Sequence, residues 1–146
     1  MLFKRILIPT DGSRSTEDAI RTGLEIAKLT GATVTALNAV DGPVLLGTPV
    51  DLEMANLYGI LEREGRSAVE RVAELAAPMN VSVEPKVVPG NPVKVITDES
   101  ADHDLIVMGT LGRTRMAKIL IGSVAEKVIK LAKCPVMVVR SKGDGQ

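Results

Sequence analysis

Aromatic residues are almost missing from this chain: one Phe, one Tyr and no Trp in 146 residues. Single-stranded nucleic-acid binders stack bases on several rings, so Phe3 and Tyr58 alone argue against that class. Charge of one sign is missing too. Lys plus Arg is 18, Asp plus Glu is 18, and the formal net charge is zero. No global basic field exists to gather nucleic acid or anionic lipid. Cys134 is the single cysteine and His103 the single histidine. One thiol excludes an internal disulfide, and neither residue type can build a multi-ligand zinc site. Nothing near Cys134 resembles a nucleophile's partner, so it reads as a small structural residue. No apolar run approaches the roughly 20 residues that span a bilayer. The opening MLFKRILIPTDGS has too short an apolar stretch, and no small-residue cleavage site, for a secretory signal. The expectation is a cytoplasmic protein with no membrane and no nucleic-acid partner.

What is present is an ordinary globular mix, 45% hydrophobic and 25% charged, which rules out an intrinsically disordered chain. The length fits one domain, with residues 1–140 as folded core and the polar stretch 141–146 as a frayed tail. Five aliphatic runs predict strands: Phe3 to Ile8, Thr33 to Val40, Val81 to Val88, Leu105 to Met108, and Val136 to Val139. The first, fourth and fifth are nearly continuous apolar runs, as in strands covered on both faces. Helical periodicity lies between them. Ala19, Ile20, Gly23, Leu24 and Ala27 share one face, and Gly31 is placed to end that helix. Leu57, Leu61, Ala68, Val72, Leu75 and Ala76 share another, with one polar interruption at Glu64. Asn91-Pro92 predicts an N-cap and first turn. Val124, Ala125, Val128, Ile129 and Ala132 form the last face, and Ser123 with Glu126 fits a capping box. The alternation predicts βαβ units: a doubly wound, five-stranded parallel sheet in a three-layer α/β/α sandwich. Asp41 to Val50 reads as a surface loop. In such a sheet a ligand binds beyond the carboxyl ends of the strands, at the topological switch point.

Three segments fall where that site is expected. Pro9-Thr10-Asp11-Gly12-Ser13 follows the first strand. Asp11 is either a carboxylate facing a nucleotide or its Mg²⁺, or a turn residue bonded to local backbone. Gly109-Thr110-Leu111-Gly112 follows the fourth strand; its glycines either expose backbone N–H groups to an anion or make a tight turn. Gly122-Ser123 opens the last helix, whose N-terminus is either a phosphate site or simply a capped helix end. Arg113, Arg115 and Lys118 lie between the last two segments, within reach of a phosphate or solvated. There is no G-x-x-x-x-G-K-[ST], no G-x-G-x-x-G in the first turn, and no G-x-S-x-G. His103 stands at the amino end of its strand, away from the expected site.

Gly109-x2-Gly112-x9-Gly122-Ser123, flanked by KRILIPTDGS, DLIVMGTLGRT, IGSVAEKVI and CPVMVVR, resembles the G-2x-G-9x-G-[ST] pattern of ATP-binding universal stress proteins over nearly the whole chain. The resemblance implies strand order 3-2-1-4-5 and ATP, with Mg²⁺ or Mn²⁺, as cofactor. Carried over by motif position, Pro9, Thr10 and Asp11 would line the adenosine side, and Val40 would meet adenine through its backbone. Met108 and Gly109 would flank the ribose, while Gly112, Arg113, Gly122, Ser123 and Val124 would cradle phosphates. It also implies a homodimer through Val136 to Arg140, which would cover an exposed edge strand. Leu111 stands where many members carry a polar residue, and Thr114-Arg115-Met116-Ala117 departs from the commonest loop. Asp11 is the one candidate for a hydrolytic base, so hydrolysis is expected to be slow or nil and the chain to act as a nucleotide-dependent regulatory switch. The alternatives are an ATP-using hydrolase or nucleotidyl transferase, and a dimeric adaptor that binds no nucleotide.

Overall fold

The computed structural model describes residues 3–41, 51–110 and 121–141. Gly112, Arg113, Leu111 and the 114–118 stretch lie outside the described residues, as do 42–50 and 142–146. The strands are β1 (Arg5–Pro9), β2 (Thr33–Val40), β3 (Val83–Pro89), β4 (Leu105–Gly109) and β5 (Val136–Val139). The helices are α1 (Glu17–Thr30), α2 (Leu52–Ala76), α3 (Pro92–Glu99) and α4 (Ser123–Leu131). All strand pairs are parallel, in the order β3-β2-β1-β4-β5. The chain winds outward from β1 to β3, then returns to β4 on the other side of β1, so the switch point lies between β1 and β4.

The pleat of β1 explains the three layers. Ile6 and Ile8 face one side with Ile20 and Leu24 of α1 and Val69 and Val72 of α2. Leu7 faces the other with Val95 and Ile96 of α3 and Ala125 and Val128 of α4. Successive side chains on a strand point to opposite faces, so one apolar run feeds two cores. β5 differs from the expected strand covered on both faces. It closes one edge of the sheet and its residues are only half-buried, apart from the more exposed Met137.

Local signals set the helix ends. The side chain of Asn91 accepts N–H bonds from Val93 (3.0 Å) and Lys94 (3.3 Å), with Pro92 at the first helical position. Gly31 ends α1 in the left-handed region at φ 76°. Helix α2 begins at Leu52, earlier than its apolar face predicted, because Asp51 caps it by accepting the Met54 N–H at 2.8 Å. The capping box expected at α4 is not formed. The helix starts at Ser123 and its N-cap is Gly122, which has no side chain to offer. Strand ends shift by a residue or two, since parallel pairing carries β1 to Pro9 opposite Leu37 and β4 to Gly109 opposite Val139.

Candidate functional site

A cleft of about 390 Å³ opens at the carboxyl ends of β1, β2 and β4. It is lined by Pro9, Thr10 and Asp11 after β1, by Val40 on β2, and by Met108 and Gly109 on β4. Gly122, Ser123 and Val124 bring the N-terminus of α4 to the same space. The nine described residues carried over to the ligand by motif position therefore line one cleft, while Gly12 and Ser13 of the β1 turn lie outside its lining. His103 does not line it either: it is buried at the opposite end of its strand.

The turn after β1 is internally knitted. Gly12 N–H donates to Thr10 Oγ1 at 3.1 Å, and Ser13 N–H donates to Asp11 Oδ1 at 2.9 Å. The Thr16 hydroxyl donates to the Ser13 carbonyl at 2.8 Å. Asp11 thus has the turn role while also bordering the cleft. At β2 the backbone separates two neighbours. The Val40 carbonyl accepts the Gly90 N–H at 3.0 Å, so that oxygen is committed to the β3 side. The Leu37 carbonyl accepts the Thr10 N–H at 2.9 Å on the β1 side. Peptide groups alternate along a strand, so those of Ala39 face the β1 side, where β1 has already ended at Pro9. Ala39 also lines the cleft.

At α4, the Gly122 N–H donates to the Thr110 carbonyl at 2.6 Å, which pins the helix start to the end of β4. Its amide is committed to Thr110, so the N–H groups left without an intrahelical acceptor at this end are those of the first helical turn, Ser123 and Val124 among them. Gly122 sits at φ −73°, ψ 166°, an extended conformation open to any residue.

The cleft is two-sided in chemistry. Leu37, Ala39, Val40, Ile96 and Met108 make an apolar wall, while the β1 turn and the α4 N-terminus make a polar one. Sequence reasoning missed part of the lining. Asp41 and Glu64 join Asp11 as carboxylates at the cleft, and Asn38, Leu61 and Gly65 also border it. The one signal for Glu64 was its interruption of the apolar face of α2. Among the described residues no cluster of His, Cys, Asp and Glu is arranged to hold a metal by itself. No helix among them is long and apolar enough to cross a membrane.

A doubly wound sheet whose β1 turn and α4 N-terminus meet at its switch point belongs to the class of open α/β folds that place a ligand crevice at the carboxyl ends of their strands. Within it, the Universal stress protein family model matches residues 2–140, and the chain belongs to that family. Universal stress protein MJ0531 of Methanocaldococcus jannaschii is 40% identical over 141 residues, covering 95% of this chain and 83% of the relative. The solved structure of universal stress protein UspA from Lactobacillus plantarum superposes with a TM-score of 0.87 at 25% identity, covering 96% and 99% of the two chains. Two more distant structures share the fold. The universal stress protein from Archaeoglobus fulgidus in complex with dAMP has a TM-score of 0.69 at 23% identity, covering 96% and 100%. The Arabidopsis thaliana family protein At3g01520 with AMP bound has a TM-score of 0.70 at 17% identity, covering 97% and 94%.

Proposed function

We propose that this chain is a single-domain, ATP-binding universal stress protein of the cytoplasm, acting as a nucleotide-dependent switch with slow or no hydrolysis. The observation that carries the reading is the convergence in one cleft of residues from three separate segments: the β1 turn, the end of β4 and the start of α4. The apolar wall suits a base, and the first-turn N–H groups of α4 suit a phosphate. Family neighbours solved with dAMP and AMP support an adenine nucleotide as the ligand. Pro9, Thr10, Asp11, Ala39 and Val40 would border the adenosine, Met108 and Gly109 the ribose, and Ser123 and Val124 the phosphates.

Three carboxylates border the cleft, so a polyphosphate enters most favourably with a divalent cation that offsets their repulsion. The nucleotide would carry Mg²⁺ or Mn²⁺ in, with Asp11 on its outer side. When bound, that ion supplies countercharge to the phosphates. Hydrolysis would also need a positioned base; Asp11 accepts a turn N–H, which suits it better to holding the loop than to taking a proton.

The test is a calorimetric titration of nucleotide-stripped protein with MgATP, AMP and ATP in EDTA. The expected result is binding at micromolar affinity or better, about −8 kcal/mol, tighter for MgATP than for ATP in EDTA. No binding of any adenine nucleotide would move the chain to the adaptor class. Rapid turnover that Asp11→Asn or Glu64→Gln abolished would replace the switch by a hydrolase. In Gly122→Val the backbone angles are compatible with valine, so lost affinity there reads as obstruction of the phosphate end rather than strain.

A further inference from the structure

Asn38 is a polar residue within an otherwise apolar stretch of β2, and only 8% of it is exposed. Burying an amide is costly unless it is bonded, and this one is spent on the binding turn. Its Nδ2 donates to the Thr10 carbonyl at 2.9 Å. The Thr10 N–H meanwhile donates to the Leu37 carbonyl at 2.9 Å. Thr10 is the first residue past β1, and both of its backbone polar groups are therefore tied to β2. The direction in which the chain leaves the sheet is fixed there, and the Gly12 and Ser13 bonds of the turn build on it.

The other side of the amide is closed by α2. A Cβ added at Gly65 would overlap Asn38 Oδ1 and stand 2.9 Å from its Cγ. Glycine weakens a helix interior, yet it occupies the middle of α2 at the point where that helix presses on Asn38. Gly65 is buried, and it lines the cleft together with Asn38 and Thr10.

We infer that Asn38 is a positioning residue of the nucleotide cleft: its amide, confined under Gly65, holds the Thr10 carbonyl and so sets the Thr10–Asp11 turn that borders the ligand. The inference rests on the nucleotide reading above and deepens it. It also makes α2 a lever on the turn, because any shift of Gly65 against Asn38 is passed to Thr10.

The test uses the full chain, MgATP as probe, and amide hydrogen exchange. Asn38→Asp is nearly isosteric but loses the donor and sets an oxygen against the Thr10 carbonyl. MgATP affinity is expected to fall about tenfold, with cooperative unfolding retained. Should that variant not fold, Asn38→Ala takes its place. Gly65→Ala displaces the amide and is expected to lower both affinity and thermal midpoint. Adding Asn38→Ala to Gly65→Ala removes the overlap: the midpoint recovers, but affinity stays low. Recovery of both would make the pair a packing contact and overturn the inference. Exchange needs no nucleotide. In Asn38→Ala the Gly12 and Ser13 amides are expected to exchange about tenfold faster while the Ala36 amide in mid-β2 does not change. Unchanged exchange at Gly12 and Ser13 overturns the inference. Failure of the wild-type chain to bind MgATP, with faster exchange in the variant, would overturn the nucleotide reading and leave the hold on the turn supported.

Discussion

The two most informative single residues away from the cleft are neighbours, His103 and Asp104. The His103 Nδ1–H donates to the Glu99 carbonyl at 2.8 Å, since a carbonyl can only accept. The ring Nε2 is hydrogen-bonded to the Thr35 hydroxyl at 2.8 Å. Both His103 and Thr35 are buried, so the ring bridges the end of α3 to β2 below the sheet's amino edge. His103→Ala leaves a cavity and an unpaired Thr35 hydroxyl, and it is expected to cost about 2–4 kcal/mol. Urea unfolding measures that loss. MgATP affinity is expected to stay unchanged, because the cleft is at the other edge; an equal loss of affinity would contradict this assignment. Asp104 acts differently. Its Oδ2 accepts N–H bonds from Lys4 and Arg5, each at 2.9 Å, and these hold its carboxyl below the ordinary 3.8. A depressed folded value means the carboxylate stabilises the fold fully above 3.8 and loses that contribution as pH falls through the folded value. The stability gap between wild type and Asp104→Asn is therefore expected to be widest near neutral pH and to shrink as pH drops below 3.8. A gap that stayed constant across that window would show the carboxylate charge to be irrelevant.

At the scale of elements, the caps carry predictions that the sequence already contained. Asn91 satisfies two N–H groups at the start of α3, and Asn91→Ala is expected to cost about 1 kcal/mol in urea unfolding. A loss near zero would mean that Pro92 alone sets the helix start. Asn91 and Gly31 were legible because each is a local signal: a side chain reaching two or three residues on, or a left-handed angle that glycine tolerates. The strands were legible from their apolar runs. Helix α2 was legible only in part. Leu57 was placed on the buried face, yet it is 49% exposed, and the buried residues of α2 begin at Gly65. The first half of the helix extends past the sheet to the cleft, where Leu61 and Glu64 line it. Periodicity reports which face is apolar, not where the partner surface stops. Glu64 was therefore visible as an anomaly but not as a cleft residue. Asn38 was invisible for a related reason. In TVTALNAV it looks like one polar residue in a strand, and its role depends on Thr10 and Gly65, far away in sequence. Gly122 shows the opposite limit, since a motif marked the position while only the fold showed its N–H committed to Thr110.

For the whole molecule the open question of surface is the edge at β5. Among the described residues β5 pairs only with β4, and Met137 on it is 38% exposed. Ile129 and Leu131 of the adjoining α4 are exposed as well. An exposed edge strand with apolar neighbours is a template for another chain, and we propose that a second copy pairs there through Val136 to Arg140. The register says how to test this without dismantling the fold. The Ile106 N–H donates to the Pro135 carbonyl and the Thr110 N–H to the Val139 carbonyl, so odd-numbered residues from 135 to 139 turn their peptide groups toward β4. By alternation, Val136 and Val138 turn theirs outward. A proline at 138 deletes an outward N–H and leaves the β4 ladder in place, a position where edge strands tolerate proline. Val138→Pro is expected to sediment as a monomer while the wild-type chain sediments as a dimer. Met137→Pro removes an inward N–H instead and is expected to lower stability by about 3 kcal/mol or more, because it breaks the ladder itself. A wild-type chain that is monomeric at high concentration would overturn the dimer, and a Val138→Pro variant that still dimerises would place the partner surface elsewhere. Because the end of β4 and the start of α4 both border the cleft, a β5-paired dimer would set two nucleotide clefts on one continuous sheet. Whatever factor separates MgATP affinity in the dimer from that in the monomer must then equal the factor by which MgATP shifts dimerisation, a reciprocity that sedimentation with and without nucleotide measures directly.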